Sequence, residues 1–189
     1  MKVGVIGLGQ MGKFYLAKLF EDLEYPAEDV IGWDINSARF AEVRQKYPKI
    51  RVANSFEEFA RSANAFIVTV NTPAHHTVIE GLAPHAQCIL LESGTPLLCE
   101  KPLASDFVKM KQIRAAARRY NIDIRTALVI GFSPVRNELI KLRDEQHLVL
   151  REAQGLWGKN RVGDTRPTAG DRVDELVHML EFNLGLLGD

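Results

Sequence analysis

The chain has 189 residues, 46% of them hydrophobic, and carries 24 basic and 24 acidic side chains, which give a formal net charge of zero. This length and apolar content allow one complete hydrophobic core and part of a second. Charge neutrality without a basic stripe argues against nucleic-acid binding, and no apolar run approaches the about 20 residues of a membrane span.

Strand and helix patterns alternate along the first part of the chain. Predicted strands are Lys2–Ile6, Val30–Trp33, Arg51–Ala53 and Ala65–Val70, and predicted helices are Lys13–Leu23, Ser37–Tyr47 and a short one ending at Arg61. Asn36 or Ser37 caps the second helix, and Ser55 with Glu58 forms a capping box for the third. This βαβ alternation predicts a parallel sheet with right-handed crossovers.

The following segments are less regular. Ala74–Leu82 reads as helix, and Pro84 is expected to break or kink it. Cys88–Leu91 fits either a strand or a second helical piece, and we favour the helix. Further predicted elements are strands at Pro96–Cys99 and Asp123–Ile130 and a helix at Ser105–Tyr120. Beyond Gly131 we expect a helix at Pro134–Glu145, a strand at Leu148–Trp157, a polar loop at Gly158–Gly170 and a helix at Asp171–Leu187.

A glycine motif, Gly7-x-Gly9-x-x-Gly12, directly follows the first apolar strand. Gly7 allows a tight turn, Gly9 lets the backbone approach a pyrophosphate, and Gly12 lets the next helix pack closely on the strand. The helix N-terminus adds N–H groups and a positive dipole end. Because strand, turn and helix coincide, the pattern favours a dinucleotide site that includes Gln10 and Met11 over a plain structural turn.

An acidic residue, Asp34, ends the second strand 22 residues after Gly12, where a carboxylate is expected to accept a hydrogen bond from the adenosine ribose. A carboxylate there favours NAD, because it repels the 2′-phosphate of NADP. Arg39 lies five residues further on and offsets that repulsion, so NADP stays open. We assign Asp34 and Arg39 to the cofactor-binding set.

Two further motifs follow predicted strands, where loops of a parallel sheet face the ligand crevice. Thr72-Pro73 fits a cofactor contact and equally fits a loop that starts a helix with proline at its first position. In Cys99-Glu100-Lys101-Pro102, the proline keeps Lys101 out of helical backbone angles. A cation there fits a hydrogen bond to a reacting oxygen, although a solvated loop lysine has the same pattern.

Asp174 and His178 are four residues apart in a predicted helix and therefore share a face. A histidine suits acid/base work near neutral pH, and the aspartate fits substrate binding, but an exposed i,i+4 pair on a solvated face has the same spacing. The preceding polar loop, with Lys159, Arg161 and Arg166, fits either an acidic or polyhydroxyl substrate or plain solvated charge.

The two cysteines, Cys88 and Cys99, form no Cys-x-x-Cys pair and no metal-ligand spacing, so we predict reduced thiols and no metal. The glycine turn comes too early for the apolar region and cleavage site of a signal peptide. We therefore expect a cytoplasmic protein without a membrane span.

Taken together, these motifs resemble the Gfo/Idh/MocA family of nicotinamide-dependent oxidoreductases. The most specific part is the Glu-Lys-Pro signature at Glu100–Pro102, followed by Arg166–Gly170, Asp174-x-x-x-His178 and Leu187-Gly188. The resemblance implies that Lys101, Asp174 and His178 are catalytic, with His178 as acid/base. It also implies a cofactor contact at Glu100 and Lys101 and a cis bond before Pro102.

The resemblance further implies an α/β fold: a Rossmann-like doubly wound parallel sheet over residues 1–124, followed by the start of an α+β substrate domain over residues 125–189, which we expect to be truncated. The implied function is NAD(P)-dependent hydride transfer to or from a secondary alcohol or carbonyl of a sugar, cyclitol or related metabolite. A non-catalytic NAD(P)-binding module is the alternative. The expected partner is a small molecule, and a homo-oligomer is left open.

Overall fold

The computed structural model describes residues 1–86, 97–128 and 133–147. Within these ranges six strands form one sheet in the order β3-β2-β1-β4-β5-β6, and every neighbouring pair is parallel. The strands are β1 Val3–Ile6, β2 Val30–Trp33, β3 Arg51–Val52, β4 Ala65–Val68, β5 Leu97–Cys99 and β6 Ile124–Thr126. This strand order and direction are those of the doubly wound dinucleotide-binding sheet, as predicted.

Helices connect successive strands, and a further helix follows β6. They are α1 Gln10–Ala17, α2 Ala38–Lys46, α3 Phe56–Arg61, α4 His75–Ala86, α5 Phe107–Tyr120 and α6 Pro134–Glu145. A π-helical stretch, Lys18–Asp22, continues α1, and short 3-10 turns lie at Ala27–Asp29 and Thr72–Ala74. No helix among the described residues is long and apolar enough to cross a membrane.

Side chains on the two faces of the sheet enter two separate hydrophobic clusters. Val3 and Val5 of β1 pack on one face with Leu16 of α1 and Val43 of α2. On the other face Ile6 and the buried residues of β4 pack among side chains from α3, α4 and α5. Because helices cover both faces, the strands are buried on both sides and read as continuous apolar runs.

Two predicted helix caps are present with small changes in detail. The Ser55 hydroxyl accepts a hydrogen bond from Glu58 N at 3.1 Å, while the Glu58 carboxylate accepts one from Asn54 N, one residue before the cap. At α2 the cap residue is Ser37, but the Asn36 side chain accepts the hydrogen bond from Ala38 N at 3.1 Å. Local polar side chains therefore fix where both helices begin.

The structure corrects several predicted boundaries, and the helix predicted from Ser105 begins at Phe107. The first helix begins at Gln10 rather than Lys13, because the motif glycine Gly12 already lies in its first turn. β4 ends at Val68, two residues early, and β6 spans only Ile124–Thr126.

Pro84 does not break α4, which continues to Ala86. A proline beyond the first turn removes the N–H that would donate to the carbonyl four residues back and crowds that carbonyl, so the helix is kept there against a cost. Burial of Ile79, Leu82 and Ala83 against the sheet holds the helix through that position. The helical piece predicted at Cys88–Leu91 and all elements predicted beyond residue 147 lie outside the described residues.

Candidate functional site

The turn after β1 has the left-handed backbone that only glycine adopts readily. Gly7 has φ +92°, and its N–H donates to the Trp33 carbonyl at 2.9 Å, which joins the turn to the end of β2. A Cβ at this position would lie 2.7 Å from Val70 N, so a side chain is excluded by space as well as by conformation. The turn is therefore closed on both sides by neighbouring strand ends.

Gly12 sets the distance between α1 and this turn. A Cβ there would lie 2.0 Å from the Gly7 carbonyl oxygen, which is far inside contact distance. The Thr69 hydroxyl donates to the same oxygen at 2.6 Å, or to the Ile6 carbonyl oxygen at 3.0 Å. The first turn of α1 consequently packs directly against the residue that follows β1, and the Thr69 hydroxyl lies beside this contact.

The N-terminus of α1 opens into a cleft. Gly9 is the cap residue and supplies no side-chain hydrogen bond, and no acidic residue lies in the first turn. First-turn N–H groups have no acceptor within an α-helix, and the helix dipole adds positive potential at this end. The arrangement suits the oxygens of a pyrophosphate.

The Asp34 carboxylate, 6% exposed, is held by three donors before any cofactor arrives. Its Oδ2 accepts hydrogen bonds from Leu8 N at 2.7 Å and from Arg39 Nη1 at 3.0 Å, and its Oδ1 accepts one from Asn36 N at 2.8 Å. A carboxylate offers about four acceptor positions, so one is left on Oδ1. The Asp34 carboxylate is thus held in one orientation at the end of β2, and it can still accept a hydrogen bond from a hydroxyl group.

Arg39 lies across the glycine turn. A Cβ on Gly9 would be 2.8 Å from its Nη1, and 40% of the arginine side chain is exposed. The guanidinium therefore sits between the buried Asp34 carboxylate and solvent, where it can also reach an anion.

A cleft of about 940 Å3 runs along these residues. Of the predicted cofactor residues, it is lined by Gly7, Gly9, Gln10, Met11, Asp34 and Arg39. Gly12, Thr72, Pro73, Glu100 and Lys101 lie outside its wall. The neighbours of the Thr72-Pro73 step, Asn71 and Ala74, do line it, while Thr72 itself is buried at the start of the 3-10 turn.

Sequence reasoning assigned only part of the cleft lining. The lining residues that it missed are Trp33, Ile35, Asn36, Phe56, Thr69, Val70, Asn71, Ala74, Thr77, Val78 and Gly81. A usable signal was present in α4 and the turn before it, because Ala74, Thr77, Val78 and Gly81 follow the i, i+3, i+4, i+7 spacing of one helical face. At Gly81 the missing side chain makes room for the Phe56 ring, which also lines the cleft.

The Glu100-Lys101-Pro102 segment directly continues β5. Glu100 N donates to the Val68 carbonyl at 2.9 Å, which anchors the segment beside the end of β4. The Lys101–Pro102 bond is cis, as the family resemblance implied. The Lys101 backbone N–H donates a hydrogen bond to Oε2 of the preceding residue, Glu100, at 3.2 Å.

Tyr15 of α1 contacts this segment from the glycine-turn side. Its hydroxyl donates to Glu100 Oε1 at 2.8 Å. Burial, and then the Glu100 carboxylate, raise the pKa of Tyr15, so the phenol stays protonated and acts as a donor. Tyr15 lies one helical turn after Met11, and α1 therefore links the cleft to the Glu-Lys-Pro segment.

The fully buried His75 ring also contacts this segment, and each of its two nitrogens lies near a carbonyl oxygen. Its Nδ1 is 2.9 Å from Pro102 O and its Nε2 is 2.9 Å from Val70 O. Burial lowers the pKa of His75 against the opposing effect of these carbonyls, which favours the neutral ring.

Other candidate residues differ in how far the structure describes them. Cys99 is a free, buried thiol whose pKa is raised by burial and by Glu100. Asp174 and His178 lie outside the described residues, as do Cys88 and the polar loop Gly158–Gly170. Within the described residues, the glycine turn, Asp34 and Arg39 line one cleft, whereas Glu100 and Lys101 lie outside its wall and are connected to α1 through the Tyr15 hydrogen bond to Glu100.

Comparison with known proteins matches residues 1–126 to the Gfo/Idh/MocA model, described as an oxidoreductase family with an NAD-binding Rossmann fold. The chain is 32% identical over 135 residues to myo-inositol dehydrogenase Hyg17 of Streptomyces leeuwenhoekii, covering 71% of this chain and 38% of that protein. It is 26% identical over 150 residues to trans-1,2-dihydrobenzene-1,2-diol dehydrogenase of Xenopus laevis, covering 77% and 42%. The chain thus spans about 40% of the length of these two relatives.

Solved structures share the fold at lower identity. A dehydrogenase from Clostridium difficile superposes with a TM-score of 0.62 at 21% identity, over 75% of this chain and 43% of that one. The apo scyllo-inositol dehydrogenase of Lactobacillus casei gives 0.62 at 15% identity, over 78% and 42%. From the family match and the strand order, the chain belongs to the Gfo/Idh/MocA oxidoreductase family, and residues 1–126 form its NAD-binding Rossmann domain.

Proposed function

We propose that the chain carries the cofactor-binding part of an NAD-dependent dehydrogenase acting on a CH–OH group of a sugar, a cyclitol or a related metabolite. The observation that carries the proposal is the alignment of three strand ends. Gly7, Thr69 and Glu100 directly follow β1, β4 and β5, which are neighbours in the sheet. The phosphate-binding turn and Lys101 consequently share one edge of the sheet, where doubly wound folds bind their ligands.

The residues of the glycine turn, Asp34 and Lys101 then have separate roles in binding. The first turn of α1 and the glycine turn hold the pyrophosphate, and Asp34 accepts a hydrogen bond from an adenosine ribose hydroxyl. When bound, NAD supplies the hydride acceptor. Lys101 donates a hydrogen bond to the reacting oxygen and stabilises the negative charge that develops there as the hydroxyl proton leaves.

In this proposal His178 accepts the proton of the substrate hydroxyl. As an alcohol is oxidised, its carbon loses a hydride and its oxygen loses a proton, and a histidine accepts that proton near neutral pH. Asp174, four residues earlier, binds the substrate or orients the imidazole. Both roles rest on the family resemblance of Asp174-x-x-x-His178.

A direct test is to incubate the chain with NAD and a panel of cyclitols, polyols and sugars, and to follow the absorbance band of reduced nicotinamide. We expect reduction with at least one member, and the same reaction in reverse with the matching ketone. Calorimetric titration of NAD is run in parallel. Tight NAD binding without reduction by any member would contradict the proposal and favour a non-catalytic binding module.

Arg39 is expected to control the choice between NAD and NADP. Arg39→Ala should weaken NADP binding by about tenfold or more, since a charge-assisted hydrogen bond contributes about 1.5–3 kcal/mol. Loss of the cation also leaves the Asp34 carboxylate to repel the 2′-phosphate. NAD affinity should change by less than about threefold, because the ribose hydroxyl keeps its acceptor on Asp34. The measurement is calorimetric titration with each cofactor.

Arg39→Lys is the matched control, since it keeps the charge and should retain part of the NADP affinity. For the unmodified chain we expect tighter binding of NAD than of NADP. An equal loss of affinity for both cofactors in Arg39→Ala would show instead that the guanidinium contacts a part that they share.

The remaining assignments concern the whole protein. The predicted domain boundary at residue 124 falls on the first residue of β6, which pairs with β5 in the cofactor-binding sheet, so we propose a division after Thr126 between the cofactor domain and the start of a substrate domain. The proposed partner is a small-molecule substrate. Cytoplasmic location and a homo-oligomer stay predictions.

A further inference from the structure

His75, the first residue of α4, is a buried polar side chain to which the proposed chemistry assigns no role. Its ring lies between two segments that border the site. The Val70 carbonyl belongs to the segment after β4, which lines the cleft, and the Pro102 carbonyl belongs to the residue after Lys101. His75 therefore joins the wall of the cleft to the segment that carries the candidate catalytic lysine.

The same segment is also held by the hydrogen bond from Tyr15 to Glu100, the residue before Lys101. Between these two contacts, Lys101 is the residue whose side chain must reach a substrate. A shift of about 1 Å in a catalytic group can lower a rate by about a hundredfold, so contacts on either side of Lys101 matter for turnover.

We propose that His75 is a positioning residue that holds Lys101 in place by donating an Nδ1–H hydrogen bond to the Pro102 carbonyl. The proposal rests on the function proposed for Lys101 in the preceding subsection. It makes a specific statement about the ring: the proton lies on Nδ1, and Nε2 faces Val70 O without a proton.

Unequal burial of the two contacts supports this tautomer. A neutral imidazole has a single N–H and can satisfy only one of the two carbonyls. The Nδ1 contact to Pro102 O is buried, whereas the Nε2 contact to Val70 O is only partly buried. Leaving a carbonyl unpaired costs less in a partly buried contact than in a buried one, so the proton belongs on Nδ1.

A pair of amide substitutions separates the two contacts. The side-chain nitrogen of asparagine reaches about the position of Nδ1, and that of glutamine about the position of Nε2. His75→Asn should therefore keep the hydrogen bond to Pro102 O and lose the contact with Val70 O, and His75→Gln should do the reverse. A role in filling the core alone would give no reason for asparagine, the smaller side chain, to be the better replacement.

We expect kcat with the best panel substrate to fall by less than about threefold in His75→Asn and by about tenfold or more in His75→Gln. The KM for NAD should be unchanged in both, since His75 does not line the cleft. Amide hydrogen exchange over residues 100–104 should be faster in His75→Gln only. Equal effects of the two variants, or the opposite order, would overturn the proposal.

Nitrogen NMR of the His75 ring in the unsubstituted chain gives a test that needs neither turnover nor a variant that folds. The proposal predicts a protonated Nδ1 and an unprotonated Nε2 near neutral pH, and a proton on Nε2 would overturn it. The NMR and exchange results also separate two failures. If no substrate is reduced but Nδ1 carries the proton and the exchange order holds, the proposed function fails and the positioning contact stands.

Discussion

Lys101→Met is expected to lower turnover by about a hundredfold to ten-thousandfold, the range associated with a group that assists proton transfer at the reacting atom. Methionine keeps an unbranched apolar stem and removes the cation. NAD affinity should stay within about threefold of that of the unsubstituted chain, because the cleft wall that binds the adenosine and pyrophosphate does not include Lys101. The measurements are steady-state kinetics on the panel substrate and calorimetric titration of NAD.

Lys49→Met is the matched control. Lys49 is exposed in the turn just before β3, so it lies at the amino ends of the strands, whereas Lys101 follows the carboxyl end of β5. The same substitution there should leave both turnover and NAD affinity within about twofold. If Lys101→Met retained most of its turnover, Lys101 would be a structural residue of the segment after β5.

Two alanine substitutions in the glycine motif are expected to separate folding from cofactor binding. In Gly12→Ala the added Cβ would lie 2.0 Å from the backbone oxygen of Gly7, so α1 must move off the turn. Such overpacking costs about 1–3 kcal/mol of unfolding free energy and displaces the helix N-terminus from the phosphate position. We expect loss of measurable NAD binding together with lower stability in urea.

In Gly9→Ala the added Cβ would meet only Arg39 Nη1, the movable end of a long side chain. Gly9 is half-buried, and Arg39 Nη1 must shift while it stays within reach of Asp34 Oδ2, so stability should fall by less than in Gly12→Ala. NAD affinity should still fall by about tenfold or more, because the methyl group occupies the space that the pyrophosphate needs. Full stability in Gly12→Ala, or full NAD affinity in Gly9→Ala, would contradict the roles given to these glycines.

Most of the fold could be predicted from local sequence patterns. Strands buried on both faces appear as apolar runs, and the spacing from Gly12 to Asp34 follows from one βαβ unit, so both could be read from neighbours in sequence. The predicted break at Pro84 was wrong because the pattern contains no information about the packing of Ile79 and Leu82 that holds α4 together.

The contacts that position Lys101 could not be predicted in the same way. Tyr15 and Glu100 are 85 residues apart, and His75 and Pro102 are 27 apart, so they meet only when the sheet is assembled. Nothing local distinguishes Tyr15 from another partly buried aromatic residue of a helix. The spacing of Arg39 from Asp34 allowed us to assign it to the cofactor site from the sequence. Its position across Gly9 could not be predicted in that way.

The three donors on Asp34 limit how cofactor preference can be redesigned in this chain. Removing the carboxylate to admit a 2′-phosphate would also remove the acceptor for Leu8 N, in the middle of the glycine turn. The pyrophosphate site would then be disturbed together with the ribose site. A change of preference toward NADP is better begun at Asn36 and Ile35, which line the cleft, with Asp34 left to hold the turn in shape.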